Sequence, residues 1–136
     1  MLTQTSLSHT DAMTIIEAIR QKAESESKGL AVAVVDSHGE LLAFLRTDGC
    51  RLPSIQIAQN KAYSAAREQV PSKELGQKSQ EEAFPMTNFG ELRYVTWGGG
   101  LPIFHEGELV GAVGVSGLPE HEDIEFAKHG LTALSL

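Results

Sequence analysis

Apolar residues recur at helical spacing through residues 11–28, where Ala12, Ile15, Ile16, Ile19 and Ala23 share one stripe. Ser8 followed by Asp11 has the pattern of a capping pair, and Gly29 suits the position just past the helix end. Residues 30–35 (Leu-Ala-Val-Ala-Val-Val) form a short apolar strand. Asp36-Ser-His-Gly39 reads as a hairpin turn, with Gly39 free to take positive φ, and 40–46 as the returning strand. A second helical stripe, Ile55, Ala58, Ala62 and Ala65, predicts a helix over 54–67. Its small residues Ala62, Ala65 and Ala66 permit close packing on a sheet or a partner helix. Pro71 breaks the pattern, and Ser72 caps a short third helix ending near Gln80. Residues 81–91 are polar, contain Pro85 and Gly90, and read as a loop of the kind that lies over a pocket. Strands are predicted over 92–97, 101–104 and 109–116, with His105-Glu-Gly-Glu108 as a turn. The last helix, 120–134, sets Ile124, Ala127, Leu131 and Leu134 on one face. Its first turn carries Glu120, Glu122 and Asp123, which complement the positive end of the helix dipole.

The order is α-β-β-α-α-β-β-β-α, dominated by hairpins and without βαβ alternation. It predicts one α+β domain over 1–136, a central antiparallel sheet of about five strands with helices packed on it. Residues 1–10 read as a loose N-terminal segment. Glycines punctuate the last third of the chain at Gly98-Gly99-Gly100, Gly107, Gly111, Gly114 and Gly117. Glycine inside a strand marks a bulge or a close backbone approach. A helix, another subunit or a planar ligand would each explain such a run.

Composition narrows the function classes. The net charge of −7 over 136 residues opposes binding to nucleic acid or to an anionic membrane surface, both of which need clustered Lys and Arg. No apolar run approaches the ~20 residues of a membrane span. Residues 1–10 lack the basic start and apolar core of a signal peptide, and one cysteine excludes an internal disulfide; both features place the expectation in the cytoplasm.

An ordered set of motifs carries a family likeness: Ala33-Val-Val-Asp36 with Gly39, Arg46-Thr-Asp-Gly49, Ala58 with Lys61-Ala-Tyr-Ser-Ala65, Gly98-Gly-Gly-Leu-Pro-Ile103, and Gly111-Ala-Val-Gly-Val-Ser-Gly117. In this order they resemble the GlcG/HbpS family, and also the C-terminal domain of PduO-type corrinoid adenosyltransferases. The resemblance runs from about Asp11 to Leu134. It implies a profilin-like fold, assembly into a higher homo-oligomer, and haem as a cofactor in several members. Some haem-binding relatives take a ligand from the first helix, whereas residues 11–28 here hold neither His nor Cys.

Candidate chemistry concentrates in a few places. Arg46 ends an apolar strand and Lys61 sits on a largely apolar helix. Either cation suits a carboxylate, including a haem propionate or an aromatic acid, and either equally suits an ion pair with Asp36 or Asp48. Gly98, Gly99 and Gly100 present backbone N–H groups that suit an anion nest, and Trp97 suits stacking on a flat ligand or a place in the core. Together Arg46, Lys61, Trp97 and the triple glycine define an expected ligand pocket covered by the 81–91 loop. Cys50, beside Arg51, is a candidate thiol or haem axial ligand, since arginine neighbours lower a thiol pKa. His9, His38 and His105 fall before a helix or in turns, and His129 near a helix end. His121-Glu122-Asp123 does not converge on one helix face, so no metal site is expected. Two functions follow as expectations: an oligomeric binder of haem or a similar planar anionic cofactor, or a cofactor-independent lyase or isomerase acting on a small aromatic or hydroxy acid. A third is an accessory protein without chemistry of its own.

Overall fold

The computed structural model describes residues 1–135. Its elements are α1 (His9–Ser25), β1 (Ala31–Asp36), β2 (Leu41–Arg46), α2 (Ser54–Glu68), α3 (Ser72–Glu81), a 3-10 turn (Met86–Phe89), β3 (Gly100–His105), β4 (Glu108–Ser116) and α4 (Glu120–Thr132). The sheet is antiparallel in the order β2-β1-β4-β3, so it has four strands where about five were expected.

The missing strand is 92–97. This segment lies over α2 and α3 and is held by side chains in place of a ladder. Val95 N–H donates to Ser64 Oγ at 2.8 Å, and Ser72 Oγ donates to the Trp97 carbonyl at 2.7 Å. Tyr94 OH donates to Glu68 at 3.1 Å. Further back, Tyr63 OH donates to Glu91, and the Arg93 guanidinium binds that same carboxylate while stacking 3.9 Å from the Tyr63 ring centroid.

The N-terminal segment is tied down from residue 6 onward. Leu7 is buried against Gly111 and its N–H donates to the Val110 carbonyl. The Ser8–Asp11 capping box forms as expected. Gly29, by contrast, does not cap α1, whose end is turned by Ser27 at φ 54°. Gly29 is required elsewhere: a Cβ there would lie 2.6 Å from the Gly49 carbonyl oxygen.

Both faces of the sheet are covered, which is why β1 is apolar from Ala31 to Val35 and β4 from Val110 to Val115. On one face Val32, Val34, Val113 and Val115 pack against Ile15, Ile16 and Ile19 of α1 and Phe126 and Ala127 of α4. On the other, Ala33, Val35 and Ala112 meet Ala62, Ala65 and Ala66 of α2. Only small residues stand at that second contact, so α2 lies almost on the strand backbone. A Cβ on Gly114 would run into the Ala58 carbonyl and sit 2.6 Å from Ala62 N. The glycine pattern of β4 therefore records a helix.

That closeness also determines the fate of Lys61, which is 3% exposed. Its Nζ donates to the Val115 carbonyl at 2.9 Å and to Asp123 Oδ2 at 3.1 Å. Asp123 is equally buried, and its Oδ1 accepts from Leu118 N–H at 3.0 Å. The pair ties α2, on one face, to the start of α4, on the other. Gly99 makes room for it, since a Cβ there would lie 2.9 Å from Lys61 Nζ.

Three outcomes test this architecture. Lys61→Met leaves a buried carboxylate without its cation and lowers stability by about 3 kcal/mol, whereas Lys61→Met combined with Asp123→Leu recovers most of that loss. Denaturant midpoints for the two single variants and the double variant measure the coupling, and a single-variant loss below about 0.5 kcal/mol rules out the structural role. Gly114→Val forces α2 off β4 and costs at least the ~1–3 kcal/mol of an overpacked core, read from the same transition. Finally, hydrogen bonds from the Arg93 side chain hold the Glu91 carboxyl down to about 2, against an ordinary 4.5. The stabilisation is therefore present above 4.5 and is lost as pH falls through 2. A carboxyl NMR titration should show Glu91 titrating near 2 and returning toward 4.5 in Arg93→Ala.

Candidate functional site

A cleft of about 410 Å³ opens where the start of α2, the Trp97–Gly98 turn, the end of β4 and the start of α4 converge. Lys61 and Asp123 lie at its floor, while Pro53, Ile57 and Leu118 supply apolar wall. Trp97 stands at the side, 60% exposed, and Arg51 at the mouth. Ser54, Ser116 and Gly117 complete the lining nearest the helix end.

The cleft is electrically divided. Burial pushes the Asp123 carboxyl up from its ordinary value, against the pull of the Lys61 ammonium and of the Leu118 N–H. Glu120 goes the other way: the Gly98 N–H donates to it at 3.0 Å and Lys73 pairs with it at 3.2 Å, so its carboxyl is held down. Both acids thus have cations of their own. Arg51 makes no ion pair among the described residues.

The expected pocket is only partly assembled. Lys61, Trp97 and Gly98 do share the cleft. Gly99 and Gly100 line a neighbouring groove of about 340 Å³ with residues of α3 and α4. Arg46 lies at the end of β2 in a third cleft, about 470 Å³, with Arg20 and Lys28 of the α1 end. The 81–91 loop covers none of these; Phe84, Met86 and Phe89 instead close a hollow of about 200 Å³ over Leu75 and Glu68. An anion nest at the triple glycine is pre-empted, because the Gly98 N–H is taken by Glu120 and the Gly100 N–H by Ser72. The ion-pair reading of Lys61 holds in kind, with Asp123 in place of Asp36 or Asp48.

Cys50 is half-buried in the loop before α2, and its thiol donates to the Arg51 carbonyl. Burial pushes the thiol up, outweighing the nearby Arg46, so activation by arginine does not prevail. His9 is the first residue of α1, so the first helix does carry an imidazole, at its exposed tip. No group of three or more His, Cys, Asp or Glu converges on a metal position among the described residues. No helix among them is long and apolar enough to cross a membrane.

Sequence reasoning missed Arg51, Ser54 and Ser116 as cleft residues. For Arg51 and Ser54 a signal existed, since Arg51-Leu-Pro-Ser54 leads directly into the predicted second helix. For Ser116 none existed, because a serine closing an apolar strand reads as a strand end.

Comparison with known proteins places these features in context. The family model described as "Haem degrading protein HbpS-like" matches residues 7–132. Protein GlcG of Escherichia coli K12 is 34% identical over 122 residues, covering 85% of both chains. The crystal structure of HbpS superimposes with a TM-score of 0.90 at 28% identity, over 100% of this chain and 95% of that one. The crystal structure of a PduOC:heme complex does so with a TM-score of 0.89 at 26% identity, over 96% of each chain. With a family model spanning nearly its whole length and a relative this similar, the chain belongs to the HbpS-like family.

Proposed function

We propose that this protein binds haem or a similar planar anionic cofactor without covalent attachment, as a cytoplasmic homo-oligomer serving haem or iron handling. One observation carries the reading: a relative solved with heme shares this fold over 96% of both chains. The cleft is consistent with the rim of such a ligand. Trp97 offers an exposed aromatic face, Pro53, Ile57 and Leu118 an apolar wall, and Arg51 an unpaired guanidinium.

The residues present do not fit the iron. None of the side chains lining the cleft is a His, Cys, Met or Tyr, which are the usual axial donors. Cys50, next in sequence to Arg51, is the sulfur donor this reading nominates, and its raised thiol pKa makes it a reluctant one.

The second reading, a cofactor-independent lyase or isomerase for a small acid, draws on the buried Lys61–Asp123 pair facing the same cleft. An accessory role without chemistry is the third.

Titrating the purified protein with haemin separates these. The expected result is a saturable, shifted Soret band accompanied by quenching of Trp97 emission. Trp97→Ala weakens binding by about 1 kcal/mol, roughly fivefold. Cys50→Ser moves the band if the thiol reaches the iron and leaves it in place if it does not. A spectrum indistinguishable from haemin with an inert carrier transfers the weight to the small-acid reading. Light scattering gives the oligomeric state, and a clean monomer removes that part of the proposal.

A further inference from the structure

We infer that the cleft contains a carboxylate subsite formed by Arg51, Ser54 and Ser116, which holds one carboxylate group of a ligand whose planar or apolar body lies against Trp97. The inference rests on the use of this cleft by a planar anionic ligand and names the group by which that ligand is recognised.

The two hydroxyls carry the argument. Ser54 and Ser116 are each 5% exposed, and neither Oγ has a hydrogen-bond partner among the described residues. Buried polar groups are nearly always satisfied. No sealed side-chain polar atom in the described residues lacks a partner, so both hydroxyls must open onto the cleft they line. They come from different elements, Ser54 from the first residue of α2 and Ser116 from the last of β4. Gly117, at φ 128°, follows Ser116 directly and lies against the backbone of Leu30 and Gly29, with a Cβ there only in ordinary contact with Ser54 Oγ at 3.5 Å.

The surrounding charge has the right sign and size. Helix α2 spans 15 residues, opens on Pro53 without a side-chain cap, and has no acidic residue in its first turn. Its positive end therefore faces the cleft without an acidic side chain of its own, although the Ser54 and Ile55 N–H groups are taken by the Arg51 and Leu52 carbonyls. Arg51 adds a guanidinium fork suited to a carboxylate. Glu120 and Asp123 stand nearby, each matched by its own lysine. With those pairs internally balanced, the guanidinium of Arg51 is the one cation left over among the cleft's charged groups, which matches a single carboxylate charge. A planar carboxylate joined to an apolar body also suits the guanidinium fork and the Trp97 face, whereas inorganic phosphate has no body to lay against the indole.

Trp97 is the only tryptophan of the chain, so its emission reports on this cleft alone. The full chain is titrated with benzoate, benzamide and inorganic phosphate, and separately with haemin and haemin dimethyl ester. Benzoate should change Trp97 emission saturably, with benzamide and phosphate at least tenfold weaker. Arg51→Gln and the double variant Ser54→Ala/Ser116→Ala should each weaken benzoate about tenfold, with the unfolding midpoint of Arg51→Gln unchanged and Arg51→Lys partly restoring affinity. Benzamide or phosphate binding as well as benzoate overturns the subsite, and so does benzoate binding indifferent to Arg51. Haemin binding no tighter than its dimethyl ester, with no benzoate effect, sinks the carboxylate subsite and leaves the tetrapyrrole reading standing. Arg51-dependent benzoate binding without any haemin complex does the reverse.

Discussion

Helix α2 lies on the backbone of β4 with nothing larger than a methyl group between them, and much of the molecule follows from that. A lysine on such a helix face has almost no access to water. Lys61 is therefore buried, and its ammonium must be satisfied inside. One bond goes to a strand carbonyl, Val115, and the other to a carboxylate on the far side of the sheet, Asp123. The requirement for space then passes to the adjoining turn. Gly98 avoids Glu120 and Ile124, Gly99 avoids Lys61 itself, and Gly100 avoids Ser72 and the Lys61 carbonyl. Glycines that look like a ligand cradle are needed to accommodate a packed cation and its neighbours.

This explains why the fold was largely legible in the sequence and the site only in fragments. Helical stripes such as Ile15-Ile16-Ile19 and apolar strands such as Val32-Ala-Val-Val35 are local signals, and the structure follows them to within a few residues. The 92–97 segment carried the same kind of signal, because Tyr94, Val95 and Trp97 favour extended backbone. It does not take the free edge that β3 leaves, because Ser64, Glu68 and Ser72 hold it over the helices instead. Lys61 was legible as a buried cation, but its partner lies 62 residues away and had already been accounted for as a helix-start acid. Asp123 serves both roles, and sequence spacing reveals only the local one.

The two arginines flanking the β2–α2 connection show the same limit. Arg46 closes a patterned strand and drew attention, while Arg51 sits in an irregular loop with no periodicity to place it. Yet the loop carries Arg51 to the mouth of the central cleft, and Arg46 stays with the end of α1. Cys50, between them, experiences burial more strongly than it experiences either charge. A neighbour in sequence alters a pKa only through the distance and solvent that the fold leaves between the groups.

The cleft thus combines a floor engaged in an ion pair with a mouth whose polar groups are less engaged. Its floor is a neutralised ion pair that two layers of the fold depend on, so it is poorly placed to change partners during a reaction. Its wall and mouth hold an exposed indole, a guanidinium that makes no ion pair among the described residues, and the two buried serines Ser54 and Ser116. Recognition of a flat, singly anionic molecule needs only the mouth, whereas acid–base turnover would have to draw on the floor at the expense of the α2–α4 tie. That asymmetry favours binding over catalysis in this chain.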